Sequence, residues 1–387
     1  MRLGSYVDMD MVDPISNRFY YFSYPSRGEC EHVHFPIRDL AAAWDATKVL
    51  DFSFSAQTDC GFPDLPALQY KLADAIRTTV EYYSESMTPA VRLTADGASY
   101  LNEDVIREDA TIGHSALLLL AWSGAGRLGI FLPEDPIPID ALTKGILAMQ
   151  LESGAFGCTF KNPNEYLKGI EFFAGEAMLA LMDVYKLSRD SKTNHSLDAI
   201  VLESILPAME RAFNFYSRHY EENELDVNYN IWQVQAFARY YDALSDSSAH
   251  KDAVAKYVMN LCHEICQSRS WKYQLARGSS FYVNLETVEI VCGLDALMEG
   301  LRIAQGLEDD DDDDDHTATK FRIHATNAAR FVSWVQDHLS EDSLVGHGGL
   351  GYGGIQVLEQ RLDVTGHGLS AMNKVHKLAI RGHGLNL

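Results

Sequence analysis

Three carboxylates and two imidazoles stand where long apolar stretches open, positions at which a polar side chain needs a reason. Glu176 follows a glycine at the head of FFAGEAMLALMDVY, and Glu289 precedes IVCGL in NLETVEIVCGLDAL. Asp363 and His367 lie in RLDVTGHGLSAM, and His114 comes just before the run Ala116 to Trp122. A carboxylate in a first helical turn is stabilised in its ionised form by the helix dipole, which suits a base or a nucleophile. Paired carboxylates in an apolar cavity push their pKa values apart, as the acid and base of a two-carboxylate hydrolase require. Asp363 and His367 are four apart, so they share a helix face. A carboxylate beside an imidazole fixes the ring's tautomer, as general acid/base catalysis needs.

Each of these residues also has a plainer use. Glu176 can be a first-turn cap and Asp363 a cap paired with Arg361, leaving His114 and His367 as satisfied core histidines. Glu286 and Glu289 are three apart, and one of the two is expected to be solvated. Substrate contacts are expected from Tyr229, Trp232 and Gln235 in NYNIWQVQAFARYY, an aromatic beside amides, although Trp also packs cores. Arg361 joins them, as does Tyr352 in GGLGYGG, whose glycines permit close ligand approach. That stretch is no phosphate loop, because no GK[ST] ending follows it. GxSxG, HExxH, CxxC and Walker patterns are absent from the sequence, which argues against those enzyme classes.

The elements that must position these residues are helices. PALQYKLADAIRTTVEYYSESM opens with Pro66 at a helix start and places Leu68, Leu72, Ile76, Thr79 and Tyr83 on one stripe. After it, charged amphipathic segments alternate with segments rich in Ala, Gly, Leu and Ser. The first kind reads as a helix with one face in water, and the second as a helix surrounded by protein. His114, Glu176, Gln235, Glu289 and His367 open the second kind at intervals of roughly 55 to 62 residues, the last longer by about 20. The extra length holds the acidic run 308–316, whose seven consecutive aspartates repel one another and read as a solvated surface loop. Residues 1–65 are aromatic and irregular, with one short helical candidate, AAAWDATKVLDF. The expectation is a single all-α domain over 1–387, an α/α toroid (barrel) of five to six helical hairpins with an irregular N-terminal segment.

The 387 residues are 47% hydrophobic and carry a net charge of −23. Such charge disfavours nucleic acid and anionic membrane surfaces as partners. The start lacks a basic and apolar leader and no run is long enough for a span, so a cytoplasmic location is expected. Six cysteines are sparse for this length and read as reduced thiols. Cys262 and Cys266 share a helix face but lack a second ligand pair, so no metal is expected.

With AGEAMLAL, WQVQAFARYY and RLDVTGHGLSAM as inner-helix openings, the chain resembles the α/α-toroid proteins of the six-hairpin glycosidase and N-acylglucosamine 2-epimerase kind. The resemblance is architectural and covers about residues 66 to 380. It implies an axial pocket, cofactor-free general acid/base chemistry and a small, sugar-like substrate. A glycoside hydrolase would draw two carboxylates from Glu176, Glu289 and Asp363, whereas a sugar epimerase would pair His114 with His367. Related toroids leave a cyclase of a non-sugar metabolite, terpene- or lanthionine-cyclase-like, and a non-catalytic ligand- or partner-binding toroid as further readings.

Overall fold

The computed structural model describes residues 12–19, 22–24, 29–30, 34–55, 65–85, 87–89, 97–101, 109–131, 139–191, 197–223, 227–246, 248–308, 317–339, 350 and 360–378. Their helices are α1 (Pro36–Ser55), α2 (Leu65–Ser84), α3 (Ile112–Arg127), α4 (Ile139–Ala148), α5 (Phe173–Arg189) and α6 (Ala199–Glu222). They continue with α7 (Val227–Ala243), α8 (Ala249–Gln267), α9 (Thr287–Glu308), α10 (Thr317–Leu339) and α11 (Leu362–Leu378). A π turn, Ser270–Gln274, and two 3-10 turns join α8 to α9. Short antiparallel pairings are the only sheet among the described residues. Strand β1 (Phe22–Tyr24) lies between β2 (Glu29–Cys30) and β5 (Gln360–Arg361), and β3 (Met87–Pro89) pairs with β4 (Ser99–Leu101).

The chain divides into two compact units, each described by itself. One comprises Met1–His34, Lys48–Ala75 and Val258–Leu387; the other comprises Phe35–Thr47 and Ile76–Tyr257. The expected alternation of helix character is present in both. Every residue of α3 from Ile112 to Gly126 is buried. In α6 burial is confined to a stripe, Val201, Ile205, Ala208, Met209, Ala212, Phe213 and Tyr216, the spacing of a helix with one face in water. The short candidate AAAWDATKVLDF is the middle of α1, a 20-residue helix that begins with Pro36 in its first turn.

Within the second unit, α3, α5 and α7 run in the same direction. Gly113 of α3 meets Glu176 of α5 near one end, and Arg127 of α3 meets Asp183 of α5 further along. Gly175 of α5 likewise abuts Trp232 of α7, and Asp183 faces Arg239. In the first unit α9 and α11 are parallel by the same test: Val291 approaches Gly368, and Glu299 reaches Lys374. Within each unit, parallel helices bring their N-terminal ends, and the polar residues that open them, to one level.

Candidate functional site

The opening of α3 is a capping box. Thr111 accepts the backbone N–H of His114, and Nδ1 of His114 accepts the backbone N–H of Thr111. His114 is therefore fixed by the helix start it helps to build, and its ring is 1% exposed. Next to it, Gly113 admits the neighbouring helix. A Cβ at Gly113 would stand 2.5 Å from Oε2 of Glu176 and 2.7 Å from Cδ1 of Phe173, so only glycine lets α5 come this close.

Glu176 lies in the first turn of α5 and is 6% exposed. Gly175 repeats the device on the other side, where a Cβ would meet Cβ of Trp232 at 2.4 Å. Trp232 in turn stacks on Trp44 of α1, with ring centroids 6.1 Å apart. Both Trp rings are buried, so these faces are occupied by each other. Gln235 and its neighbours Asn230 and Gln233 are buried too, and each has an amide atom with no hydrogen-bond partner among the described residues.

Farther along the same three helices a buried ion cluster ties them together. Asp183 of α5 receives Arg127 at 3.0 Å and Arg239 at 3.8 Å. Burial pushes the Asp183 carboxyl up, but the two guanidinium groups outweigh it and hold the pKa below the usual carboxylate value.

In the other unit, α9 and α11 share a second charged cluster. Asp295, with no exposed side-chain surface, accepts Ser370 Oγ at 2.8 Å and Lys374 Nζ at 2.8 Å. Nδ1 of His367 lies 4.0 Å from its other oxygen. Burial acts to raise the Asp295 pKa, and chiefly Lys374 holds it far below the usual range instead. Glu299 completes the set, paired with Lys374 at 2.9 Å and Arg302 at 3.1 Å.

The structure therefore sets Glu176 against Gly113, the chain neighbour of His114, and Gly175 against Trp232, and in the other unit sets His367 beside Asp295. Glu289 is half-buried at the start of α9 and accepts Ser270 Oγ at 2.9 Å, while Glu286 is exposed. Asp363 is the second residue of α11, but its side chain lies outside the described residues, as do Tyr352 and the acidic run 309–316. Arg361 pairs by its backbone with Phe22 across β5 and β1. Tyr229 departs from the expected substrate contact. Its hydroxyl bonds the Tyr216 carbonyl and the Tyr257 hydroxyl, each at 3.1 Å, inside the packing of α6, α7 and α8.

Asp295, Lys374 and Asp183 escaped the sequence reading. The available signal was a carboxylate embedded in an apolar run, GLDAL for Asp295 and ALMDVY for Asp183. Among the described residues no three His, Cys, Asp or Glu groups converge as a metal site. Cys158, Cys262 and Cys266 are buried free thiols, and burial pushes Cys266 up to about 12. No helix among the described residues is long and apolar enough to cross a membrane.

No protein-family model matches the chain, and no curated protein matches it in sequence. A solved structure does match in three dimensions. It is an inactive variant of the alpha-1,6-mannanase GH76A of Salegentibacter sp. HEL1_6, in complex with alpha-1,6-mannotriose. The match covers 96% of each chain, with a TM-score of 0.54 and 11% identity. The fold is an α/α toroid. The helices that the sequence marks as inner ones are α3, α5 and α7 in one unit and α9 and α11 in the other. At 11% identity the likeness extends to fold and carries no residue roles.

Proposed function

We propose that the protein is a carbohydrate-active enzyme that hydrolyses glycosidic bonds by general acid/base catalysis, with Glu176 as one of its two carboxylates. The observation that carries this reading is the buried carboxylate of Glu176, held by the Gly113 and Gly175 contacts beside His114 at the N-terminal ends of parallel inner helices. In such a reaction a carboxylic acid gives its proton to the leaving oxygen as the glycosidic C–O bond breaks. A carboxylate either takes a proton from the attacking water or bonds transiently to the sugar. Glu289 and Asp363 are the candidates for the second group. The mannanase similar in fold binds alpha-1,6-mannotriose, and its inactive variant has two adjacent aspartates replaced by asparagine. Adjacent aspartates occur in this chain only within 309–315, so the catalytic pair proposed here is drawn from non-adjacent positions.

The test is release of reducing ends from a panel of oligosaccharides that includes alpha-1,6-linked manno-oligosaccharides. Release by the wild type and its loss in Glu176→Gln supports the assignment. Undiminished release by Glu176→Gln removes Glu176 from the mechanism, and a panel without any release removes hydrolysis.

A second reading, epimerisation of a free sugar, is favoured by one contact, the imidazole of His367 beside the Asp295 carboxylate. It predicts solvent deuterium incorporated at one sugar carbon with no change in reducing-end count, and loss of that incorporation in His367→Asn.

A further inference from the structure

The turn that leads into α5 sends its two phenylalanines opposite ways. The carbonyl of Gly169, a residue at φ +78°, accepts the backbone N–H groups of Phe172 and Phe173 at 3.1 and 3.0 Å. A Cβ at Gly169 would stand 2.7 Å from one edge of the Phe173 ring, and a Cβ at Gly113 2.7 Å from the other, so Phe173 is packed between two glycines. Phe172 is 39% exposed, and its ring has no aromatic or cationic partner among the described residues. Its carbonyl accepts the Glu176 N–H at 3.0 Å, so the exposed ring and the buried carboxylate belong to one helix start.

Glu171 precedes Phe172. It is half-buried, and its Oε2 has no hydrogen-bond partner among the described residues. A buried acceptor left unpaired calls for an explanation. Cys158 shows where this carboxylate faces. The Cys158 carbonyl accepts the N–H of Ile112, the residue before Gly113, at 2.9 Å, and its thiol donates to the Tyr166 carbonyl at 3.3 Å. Burial pushes this thiol up to about 12, and the charges of Glu171 and then Glu176 add to the rise. A like charge acts this way from close by, so both carboxylates stand around one thiol.

We propose that this turn is the substrate-facing edge of the site, with Phe172 stacking on a sugar ring and Glu171 acting as the second carboxylate beside Glu176. The proposal rests on the hydrolysis proposed above. It draws the pair from one unit, whereas Glu289 and Asp363 belong to the other. Phe172 and Glu171 are the solvent-reaching residues of this helix start, so a substrate meets them first. A sugar presents C–H groups on its ring face and hydroxyls at its edge, and an exposed aromatic ring beside carboxylates matches both. In the reaction one of the two carboxyls gives its proton to the leaving oxygen as the glycosidic C–O bond breaks. A water oxygen bonds to the anomeric carbon, and its proton passes to the other carboxylate. One water is consumed, and the pair regains its starting protonation by exchange with solvent.

The first arm of the experiment needs no sugar. The full chain is labelled with carbon-13 at the glutamate carboxyls and titrated by NMR, with Glu171 and Glu176 assigned by their loss in Glu171→Gln and Glu176→Gln. Neighbouring carboxylates titrate as a coupled pair, so the midpoint of each is expected to fall, by the same amount, when the other becomes Gln. Midpoints that ignore each other overturn the pair. The second arm uses the glycan of the panel that the wild type cleaves. Turnover by Glu171→Gln is expected to fall about 10²–10⁴-fold. Added formate is expected to restore part of the turnover in Glu171→Ala, which a merely structural role would not allow. Phe172→Ala is expected to raise KM about threefold or more with kcat little changed, and Phe172→Trp to recover it. Turnover kept in Glu171→Gln but lost in Glu176→Gln overturns the role of Glu171 and leaves the hydrolase standing. An unchanged KM in Phe172→Ala overturns the stacking. A coupled pair in a wild type that cleaves no glycan retires the hydrolase, and the substrate roles proposed here with it.

Discussion

Nζ of Lys374 lies 2.8 Å from Oδ1 of Asp295, an ammonium on α11 reaching a carboxylate on α9 that has no exposed surface. The same ammonium is 2.9 Å from Glu299, so one cation serves two buried acids. Removing one member of a buried ion pair leaves the other charge without compensation, which costs far more than the pair contributes against an apolar replacement. Lys374→Met is expected to destabilise the fold by about 3 kcal/mol. Urea denaturation followed by circular dichroism reads this directly. A loss below about 1 kcal/mol, the range of surface pairs, would show that Lys374 is not what compensates Asp295.

The same two buried aspartates set an acid limb to stability. The folded-state pKa values of Asp183 and Asp295 are both lowered. Each group therefore contributes stability that is fully present above its unfolded pKa, near 3.9, and is lost as the pH falls through the folded value. The urea midpoint is expected to stay level from about pH 7 to pH 5 and to drop below about pH 4. Asp183→Asn is expected to have a lower midpoint at neutral pH and a shallower acid limb, because the group that titrates is gone. An unchanged acid limb in that variant would contradict the role given to Arg127 and Arg239.

Gly113 offers a way to disturb Glu176 without touching it. A Cβ at Gly113 would stand 2.5 Å from Oε2 of Glu176, and Phe173 blocks the alternative direction at 2.7 Å. Gly113→Ala must therefore push α5 or the Glu176 side chain away, at a cost of about 1–3 kcal/mol for an overpacked contact. Glycan turnover, where found, is expected to fall in this variant as well as in Glu176→Gln. General acid/base groups contribute about 10²–10⁴-fold, and Glu176→Gln belongs in that range. Full activity in Gly113→Ala would mean that the carboxylate tolerates displacement and is not at the reacting centre.

Gln233 makes the opposite case. It is 1% exposed, and neither of its amide atoms has a hydrogen-bond partner among the described residues. Replacing an unpaired buried polar group by an apolar one of similar shape is neutral or stabilising. Thermal unfolding of Gln233→Leu is expected at the wild-type temperature or a few degrees above it. A marked drop would show that the amide is bonded in solution, by water or by a neighbouring group.

Much of the fold was legible because burial pattern is a local property of sequence. A helix such as Ile112–Gly126, apolar on every side, is stable only inside protein, and the striped α6 only with one face in water. Leu72, Ile76, Thr79 and Tyr83 of α2 are buried as the 3.6-residue period requires. His114, Glu176 and His367 stood out for a related reason, since a polar residue opening an apolar helix needs compensation. Asp295 and Asp183 did not stand out, because their partners Lys374, Arg127 and Arg239 lie on other helices tens of residues away.

The sequence by itself determined the order of the described helices, which of them are buried all round or on one face, and the polar residues that open the all-round buried ones. These follow from hydrophobic periodicity and capping chemistry, which act over a few residues. Only the tertiary structure decided which of those residues meet. Glycines at 113 and 175 let Glu176 approach α3 and Trp232 approach α5; Trp44 covers Trp232; Tyr229 turns into the core toward Tyr216 and Tyr257; and His367 finds Asp295. Such pairings depend on helix direction, rotation and spacing. Those are set by the close packing of side chains from distant parts of the chain, and no local pattern encodes them.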